Sequence, residues 1–160
     1  MRVKAVLKSI VLTLSGMAVG AVNMRRIMKK RALVKQNSAD NRLILLFMMN
    51  QWVRIKQEGK ILSDYFEKNG CKKIAIYGLG DAGELLLAEL KDSNVEVAYG
   101  IDRNADEILT DIEILSLEDS LPEVDVIVVT AVTYFDEIQE ALSEKTNSKI
   151  ISLNDILYEI

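Results

Sequence analysis

The sequence of 160 residues contains no histidine, one cysteine (Cys71) and one proline (Pro122). Without histidine, the chain cannot form a His-containing catalytic triad or a His-ligated zinc or iron site. A single cysteine excludes an intrachain disulfide and a thiolate metal cluster. Hydrophobic residues make up 49% and charged residues 28%, which is typical of a globular protein. The length fits one domain.

Acidic residues are absent from the first 35 positions. This stretch carries nine Lys/Arg, whereas the rest of the chain carries 11 bases and 24 acids. The net charge of −4 therefore combines a basic head with an acidic body. We interpret residues 1–35 as a membrane-associating helix, residues 36–70 as a helical linker that packs on the domain, and residues 71–160 as the domain itself.

The basic head also contains a long apolar segment. Residues 5–24 are interrupted by only one charge, Lys8, and their length is close to the ~20 residues that span a bilayer. Basic residues on both sides, densest over 25–31, favour a membrane contact through residues 5–31 at the cytoplasmic face. A signal-peptide core, a helix packed on the domain, a surface helix and a purely cytoplasmic location remain alternatives. No nucleic-acid partner is expected, because the bases are not interleaved with aromatics and the body is acidic.

The linker reads as two helices, at about residues 41–57 and 61–68, which end at Gly59 and at Asn69-Gly70. Four aromatic residues recur in them at helical spacing, and these are Phe47, Trp52, Tyr65 and Phe66. Such aromatics can line a ligand pocket, but packing on a neighbouring sheet is the favoured interpretation.

A glycine-rich motif follows the linker. Residues 72–77 predict a buried strand, residues 78–83 read G-x-G-x-x-G, and residues 84–90 predict a helix. A second strand, 95–101, ends at Asp102. This order is typical of a dinucleotide-binding unit, in which the first glycine permits the turn, the second lets a pyrophosphate approach the backbone, and the third lets helix and strand pack closely.

The motif defines the candidate site. The helix N-terminus offers N–H groups to phosphates, and Asp102 would accept hydrogen bonds from ribose hydroxyls and favour NAD over NADP. Asp81 and Glu84 complement the helix dipole and would repel a pyrophosphate, so a fold that has lost tight ligand binding is an alternative. Arg103 could offset that repulsion, stack on a base, or be solvated. The candidate cofactor-binding residues are Gly78, Leu79, Gly80, Asp81, Ala82, Gly83, Asp102, Arg103, Thr130 and Ala131; no catalytic or metal-binding residue is assigned.

The remaining elements complete an α/β fold, a five-stranded parallel Rossmann-like sheet of order 3-2-1-4-5 preceded by N-terminal helices. Strands are predicted at 112–115, 124–129 and 149–153. Residues 116–120 are expected to form a turn of helix. Residues 133–136 resemble a capping box that opens a helix to about residue 145, and Asn154 is expected to cap a last helix at 155–159.

The runs IAIYGLGDAGELLLAEL, VAYGID, IEILSLED and VDVIVV together resemble one kind of Rossmann-like domain. It is the CoA-binding-like domain that precedes the catalytic domain of membrane-anchored polysaccharide-biosynthesis sugar-nucleotide epimerase/dehydratases. The N-terminal domain of bacterial amino-sugar acetyltransferases is similar. The resemblance covers residues 72–153 and implies a bacterial role beside cell-surface glycan synthesis. The catalytic domain, its Tyr-x-x-x-Lys pair and the acetyltransferase repeats are absent from this sequence.

These observations favour a non-catalytic nucleotide-binding module for NAD or a sugar nucleotide, tethered to a membrane and accessory to polysaccharide biosynthesis. Its expected partners are a glycan-biosynthesis enzyme or a second copy of the chain. The first alternative is a scaffold without a ligand. The second is a small NAD-dependent oxidoreductase or epimerase, which the missing histidine and Tyr-x-x-x-Lys pair disfavour.

Overall fold

The computed structural model describes residues 41–160, apart from the side chain of Asp106. The predicted membrane segment, including residues 5–31, and residues 36–40 of the linker lie outside the described part. Residues 44–160 form one compact unit. In the described part of the chain, no helix is both long enough and apolar enough to cross a membrane.

The unit is built on five parallel strands in the order β3-β2-β1-β4-β5, so the predicted α/β class and strand order are confirmed. The strands are β1 (Lys73–Tyr77), β2 (Glu96–Ile101), β3 (Ile114–Leu115), β4 (Val126–Val129) and β5 (Lys149–Ser152). The helices are α1 (residues 41–57), α2 (Leu62–Lys68), α3 (Asp81–Leu90), α4 (Phe135–Ser143) and α5 (Leu153–Glu159). Short 3₁₀ turns occupy Ala105–Glu107 and Val132–Tyr134.

The central strands β1 and β4 are buried on both faces, because alternate side chains enter two separate cores. Ile74 and Val126 lie in the core that also contains residues of α1, α2, α3 and α5. Tyr77 and Val129 lie in the core beneath α4. The near-continuous runs of β-branched and aliphatic residues in these strands follow from this double burial.

The linker helices complete the first core. Trp52, Tyr65 and Phe66 are buried there, as the packing interpretation predicted, but Phe47 is 61% exposed, so the prediction is wrong for that residue. Burial along α1 begins at Met48, which is fully buried. The helical spacing of Phe47 therefore did not indicate burial, because its part of α1 lies outside the core.

Glu89 on α3 joins three helices through one carboxylate. It accepts the indole N–H of Trp52 at 2.8 Å, the ammonium of Lys56 at 2.9 Å and the backbone N–H of Leu62 at 2.9 Å. Trp52 and Lys56 belong to α1, and Leu62 is the first residue of α2. The side chain of Glu89 is only 12% exposed, so its carboxylate is largely shielded from water, although the Lys56 side chain is 44% exposed.

Local boundaries differ from the predictions where side chains cap the backbone differently. Residues 116–120 form a turn rather than a turn of helix, because the carboxylate of Asp119 accepts the N–H of Ser116 at 2.7 Å. The capping box over 133–136 does not form; a 3₁₀ turn leads into α4, which starts at Phe135 without a side-chain cap. The cap of α5 is Ser152, whose hydroxyl accepts the N–H of Asn154, rather than Asn154 itself.

All five strands and α3 have bounds that differ from the predicted ones, by one residue for β1, β2 and β5. The third strand is reduced to Ile114–Leu115, and the fourth starts at Val126 rather than at residue 124. Helix α3 begins at Asp81, three residues before the predicted start, because it opens directly from the glycine turn.

Asp125 fastens the beginning of β1 to the beginning of β4. One of its carboxylate oxygens accepts the backbone N–H groups of Lys72 and Lys73, both at 2.8 Å. These two bonds hold the pKa of Asp125 below its ordinary value of 3.8, with a smaller contribution from the positive charges of the two lysines. The carboxylate thus helps to fix the register of the two central strands.

Replacing Glu89 by glutamine is expected to destabilise the protein by about 2 kcal/mol, because an amide cannot accept all three donors and loses the ion pair with Lys56. Urea unfolding followed by tryptophan fluorescence measures the change. The exposed Glu140 on α4 provides the matched control, and Glu140→Gln should leave the midpoint nearly unchanged. Equal stability of the two variants would contradict this role of Glu89.

The contribution of Asp125 should depend on pH. Its folded pKa lies below the unfolded value, so its stabilisation is complete above about pH 5 and is lost as the pH falls through the folded pKa. Asp125→Asn should therefore lower the melting temperature at neutral pH, and the difference from wild type should shrink in acid. Thermal unfolding by circular dichroism, with Asp92→Asn as an exposed control, measures this. A difference that stays constant down to pH 2 would refute the assignment.

Candidate functional site

The glycine motif forms a tight turn between β1 and α3. Gly78 has a φ of +89°, and a Cβ there would approach the Thr130 hydroxyl oxygen to 2.9 Å. A Cβ on Gly83 would overlap the carbonyl oxygen of Gly78, so this glycine lets α3 approach the strand end. A Cβ on Gly80 would have no atom within 4 Å. Two of the glycines are therefore required by packing, while the third leaves open space beside the backbone.

Thr130 holds the end of β4 against this turn. Its hydroxyl oxygen lies 2.5 Å from the carbonyl oxygen of Gly78 and 3.1 Å from that of Tyr77, so its proton is directed at the turn. Its backbone N–H also donates to Tyr77 at 3.0 Å. The residue is 5% exposed. Thr130, a predicted ligand contact, thus lies beneath the site and supports it.

Asp102 bridges the turn and the loop after β2. One carboxylate oxygen accepts the backbone N–H of Leu79 and the other accepts that of Asn104, each at 2.9 Å. The acid at the tip of β2 is therefore fixed in orientation by the protein itself. A carboxylate oxygen can accept two hydrogen bonds, so each retains capacity for a ligand hydroxyl.

A cavity of about 420 Å³ opens at this edge of the sheet. It lies where the strand order reverses between β1 and β4, which is where ligands bind in open parallel sheets. Its volume is within the usual range for small-molecule sites. The residues around it are Tyr77, Gly78, Asp102, Arg103, Asn104, Ala131, Tyr134, Glu137 and Ile138.

The cavity brings together four of the ten predicted site residues, namely Gly78, Asp102, Arg103 and Ala131. Three polar residues there were not predicted, and these are Asn104, Tyr134 and Glu137. Each follows the carboxyl end of β2 or β4, and that position was the sequence signal available for them.

The other predicted residues lie around the start of α3. Gly80 and Asp81 are exposed, Ala82 is half-buried and Gly83 is buried. Leu79 is 3% exposed and belongs to the core on the other face of the sheet. The N-cap residue of α3 is Gly80, which has no side chain to cap the first turn, and a Cβ there would meet no atom within 4 Å.

The three reactive side chains outside the motif are not grouped. Cys71 is buried before β1, and burial, followed by the nearby charge of Asp125, raises the pKa of its thiol above the ordinary value. Tyr134 precedes α4 and Lys145 follows it, so the helix separates them by roughly 15 Å. This arrangement offers no nucleophile paired with a base among these three residues.

Replacing glycine by alanine should separate the two roles of the motif. Gly83→Ala is expected to cost about 3 kcal/mol or more, because the methyl group overlaps the Gly78 carbonyl oxygen. Gly80→Ala should change the free energy of unfolding by less than about 1 kcal/mol, because its backbone conformation suits alanine and the space is open. Chemical denaturation of both variants tests this, and similar losses in the two would contradict the assignment.

Comparison with known proteins places this fold in a family. Residues 70–156, more than half of the chain, match the family model described as C2185-like, N-terminal. No curated protein matches the chain. The matched residues run from the turn before β1 into α5 and include the whole glycine motif and the cavity. The chain belongs to the C2185-like N-terminal domain family.

Proposed function

We propose that the protein is a non-catalytic module that binds a nucleotide, either NAD or a sugar nucleotide. The observation that carries the proposal is the cavity of about 420 Å³ at the strand-order reversal, with the bare backbone of Gly80 at the adjoining start of α3. A nucleotide needs both an open backbone for its phosphates and a pocket for its ribose and base.

In the proposed complex, the phosphates approach Gly80 and the first N–H groups of α3. The ribose hydroxyls donate to the remaining lone pairs of Asp102, whose orientation the Leu79 and Asn104 N–H groups already fix. Tyr134 and Arg103 border the cavity, and in the proposed complex Tyr134 contacts the base or sugar and Arg103 offsets phosphate charge. Because Asp102 and Glu137 both border the cavity, a 2′-phosphate would meet two negative charges, so NADP is disfavoured.

A scaffold without a ligand is the second candidate, and a specific observation favours it. Asp81 and Glu84 occupy the first turn of α3, where they complement the helix dipole and oppose an incoming phosphate. Both oxygens of Asp102 also have protein partners in the absence of any ligand. The turn is therefore stable by itself.

The cellular setting is proposed from the sequence alone. The resemblance over residues 72–153 supports a role accessory to cell-surface polysaccharide synthesis, with a glycan enzyme or a second copy as partner. The apolar and basic residues 5–31 support attachment to the cytoplasmic face of a membrane.

Isothermal titration of the full chain with NAD, NADP, CoA and a UDP-sugar tests the nucleotide proposal. NAD or the UDP-sugar should bind, and NADP should bind at least about tenfold more weakly than NAD, because of the acids beside the ribose. Gly80→Ala should weaken binding by about tenfold or more, since its methyl group occupies the phosphate approach while the fold is kept.

The control for Gly80→Ala is Thr110→Ala, an exposed residue on the connection after β2. It should leave the affinity unchanged. If none of the four compounds binds at millimolar concentration, the nucleotide proposal fails and the scaffold candidate stands.

A further inference from the structure

The first described turns of α1 carry an exposed patch that neither core uses. We call Ile44, Leu45, Leu46 and Phe47 the α1 patch, and these residues are 43%, 40%, 55% and 61% exposed. Four successive helical residues point in directions about 100° apart, so the helix is apolar and exposed on all sides at this point. Water is an unfavourable environment for such a surface, which typically marks an interaction site.

The patch is rigidly connected to the sheet. Burial begins at the next residue, Met48, and Ile55 further along α1 is 2% exposed. Trp52 and Lys56 of the same helix are bonded to Glu89 on α3. A partner that holds the patch would therefore also hold the whole α/β unit in a fixed orientation.

The sequence around the patch is strongly basic. Residues 1–57 contain 12 Lys/Arg and one acid, Asp40, whereas residues 58–160 contain 8 bases and 23 acids. The basic head ends at Lys35, only nine residues before Ile44 in the sequence. Apolar side chains next to dense positive charge complement the surface of an anionic bilayer.

We infer that the α1 patch inserts into an anionic lipid surface and forms a second membrane contact beyond the basic head. This inference rests on the proposed membrane attachment through residues 5–31 and is independent of nucleotide binding. The acidic remainder of the unit is repelled by the same surface, so the α1 end faces the lipid and the strongly negative part faces away.

A second copy of the chain is the weaker occupant. Each copy also carries the nine bases and no acid of residues 1–35, and these like charges would oppose the pairing of two α1 patches. An anionic membrane instead neutralises both heads.

The direct test places an environment-sensitive fluorophore on the patch of the full chain. In a Cys71→Ser background, Phe47→Cys is labelled with a nitrobenzoxadiazole dye and mixed with vesicles of phosphatidylcholine, with or without phosphatidylserine. Emission at position 47 should rise and shift to shorter wavelength with the anionic vesicles. The same dye on Leu109→Cys, a fully exposed position in the connection after β2, should not respond.

A second measurement uses Leu46→Ser together with Phe47→Ser in the full chain. Co-sedimentation with the phosphatidylserine vesicles should weaken by more than about tenfold, because two exposed apolar side chains no longer leave water. The matched control is Leu109→Ser together with Tyr158→Ser, which removes similar exposed side chains elsewhere. The nucleotide affinity of the patch variant should equal that of the wild type. A failure of nucleotide binding would therefore count only against the nucleotide proposal, and a failure of vesicle binding only against the membrane contact.

Three results would overturn the inference. In the first, the protein binds vesicles, but the dye at position 47 does not change its emission and the patch variant binds as well as the wild type. This result would assign attachment to the basic head alone. Failure of the full chain to bind vesicles at all would remove both contacts. A reporter that responds to protein concentration without lipid, with a doubled mass by light scattering, would assign the patch to a second copy.

Discussion

The contact between the start of α3 and the end of β1 is the constraint on which the rest of the unit depends. Gly83 can approach the carbonyl oxygen of Gly78 only because it lacks a side chain, and this approach sets the height of α3 above the sheet. Thr130 fixes the same carbonyl from β4, and Asp102 fixes the following N–H from β2. Three adjacent strands therefore meet at one turn, and the cavity beside it inherits that rigidity.

The height of α3 in turn decides how the linker helices pack. Glu89, on the side of α3 toward α1, accepts donors from α1 and α2 and orients both over the first core. Tyr65 of α2 then meets α5, where burial, reinforced by its hydrogen bond to Glu159, raises the pKa of its phenol to about 12. The helices before the glycine motif are thus part of the same packed unit as the sheet, although the family match begins only at residue 70.

Strand order and the turn could be predicted because they depend on local patterns. The β-branched run of β4 is typical of a strand buried on both faces, and the glycine spacing is typical of a strand–turn–helix unit. Phe47 was predicted wrongly because helical spacing does not tell where along α1 the core begins. Asn104 and Tyr134 were missed because a residue of a loop or short turn enters a cavity through the local path of the chain, which periodicity does not encode. Glu137 was missed because that same path sets how the first turn of α4 faces the cavity. The cap of α5 was misplaced by two residues because Ser152 and Asn154 are both good capping residues.

The charge distribution limits how a nucleotide would be held. Among the described residues around the cavity, Arg103 is the one cation, against Asp102 and Glu137, and Asp81 and Glu84 add negative charge at the start of α3. Long-range attraction therefore cannot supply the affinity for a phosphate, and short-range donation from backbone N–H groups must do so. The same acidic surface cannot attract the unit to an anionic membrane either. In both proposed contacts the binding energy must come from one small region, the backbone at Gly80 for the ligand and the α1 patch with the basic head for the lipid.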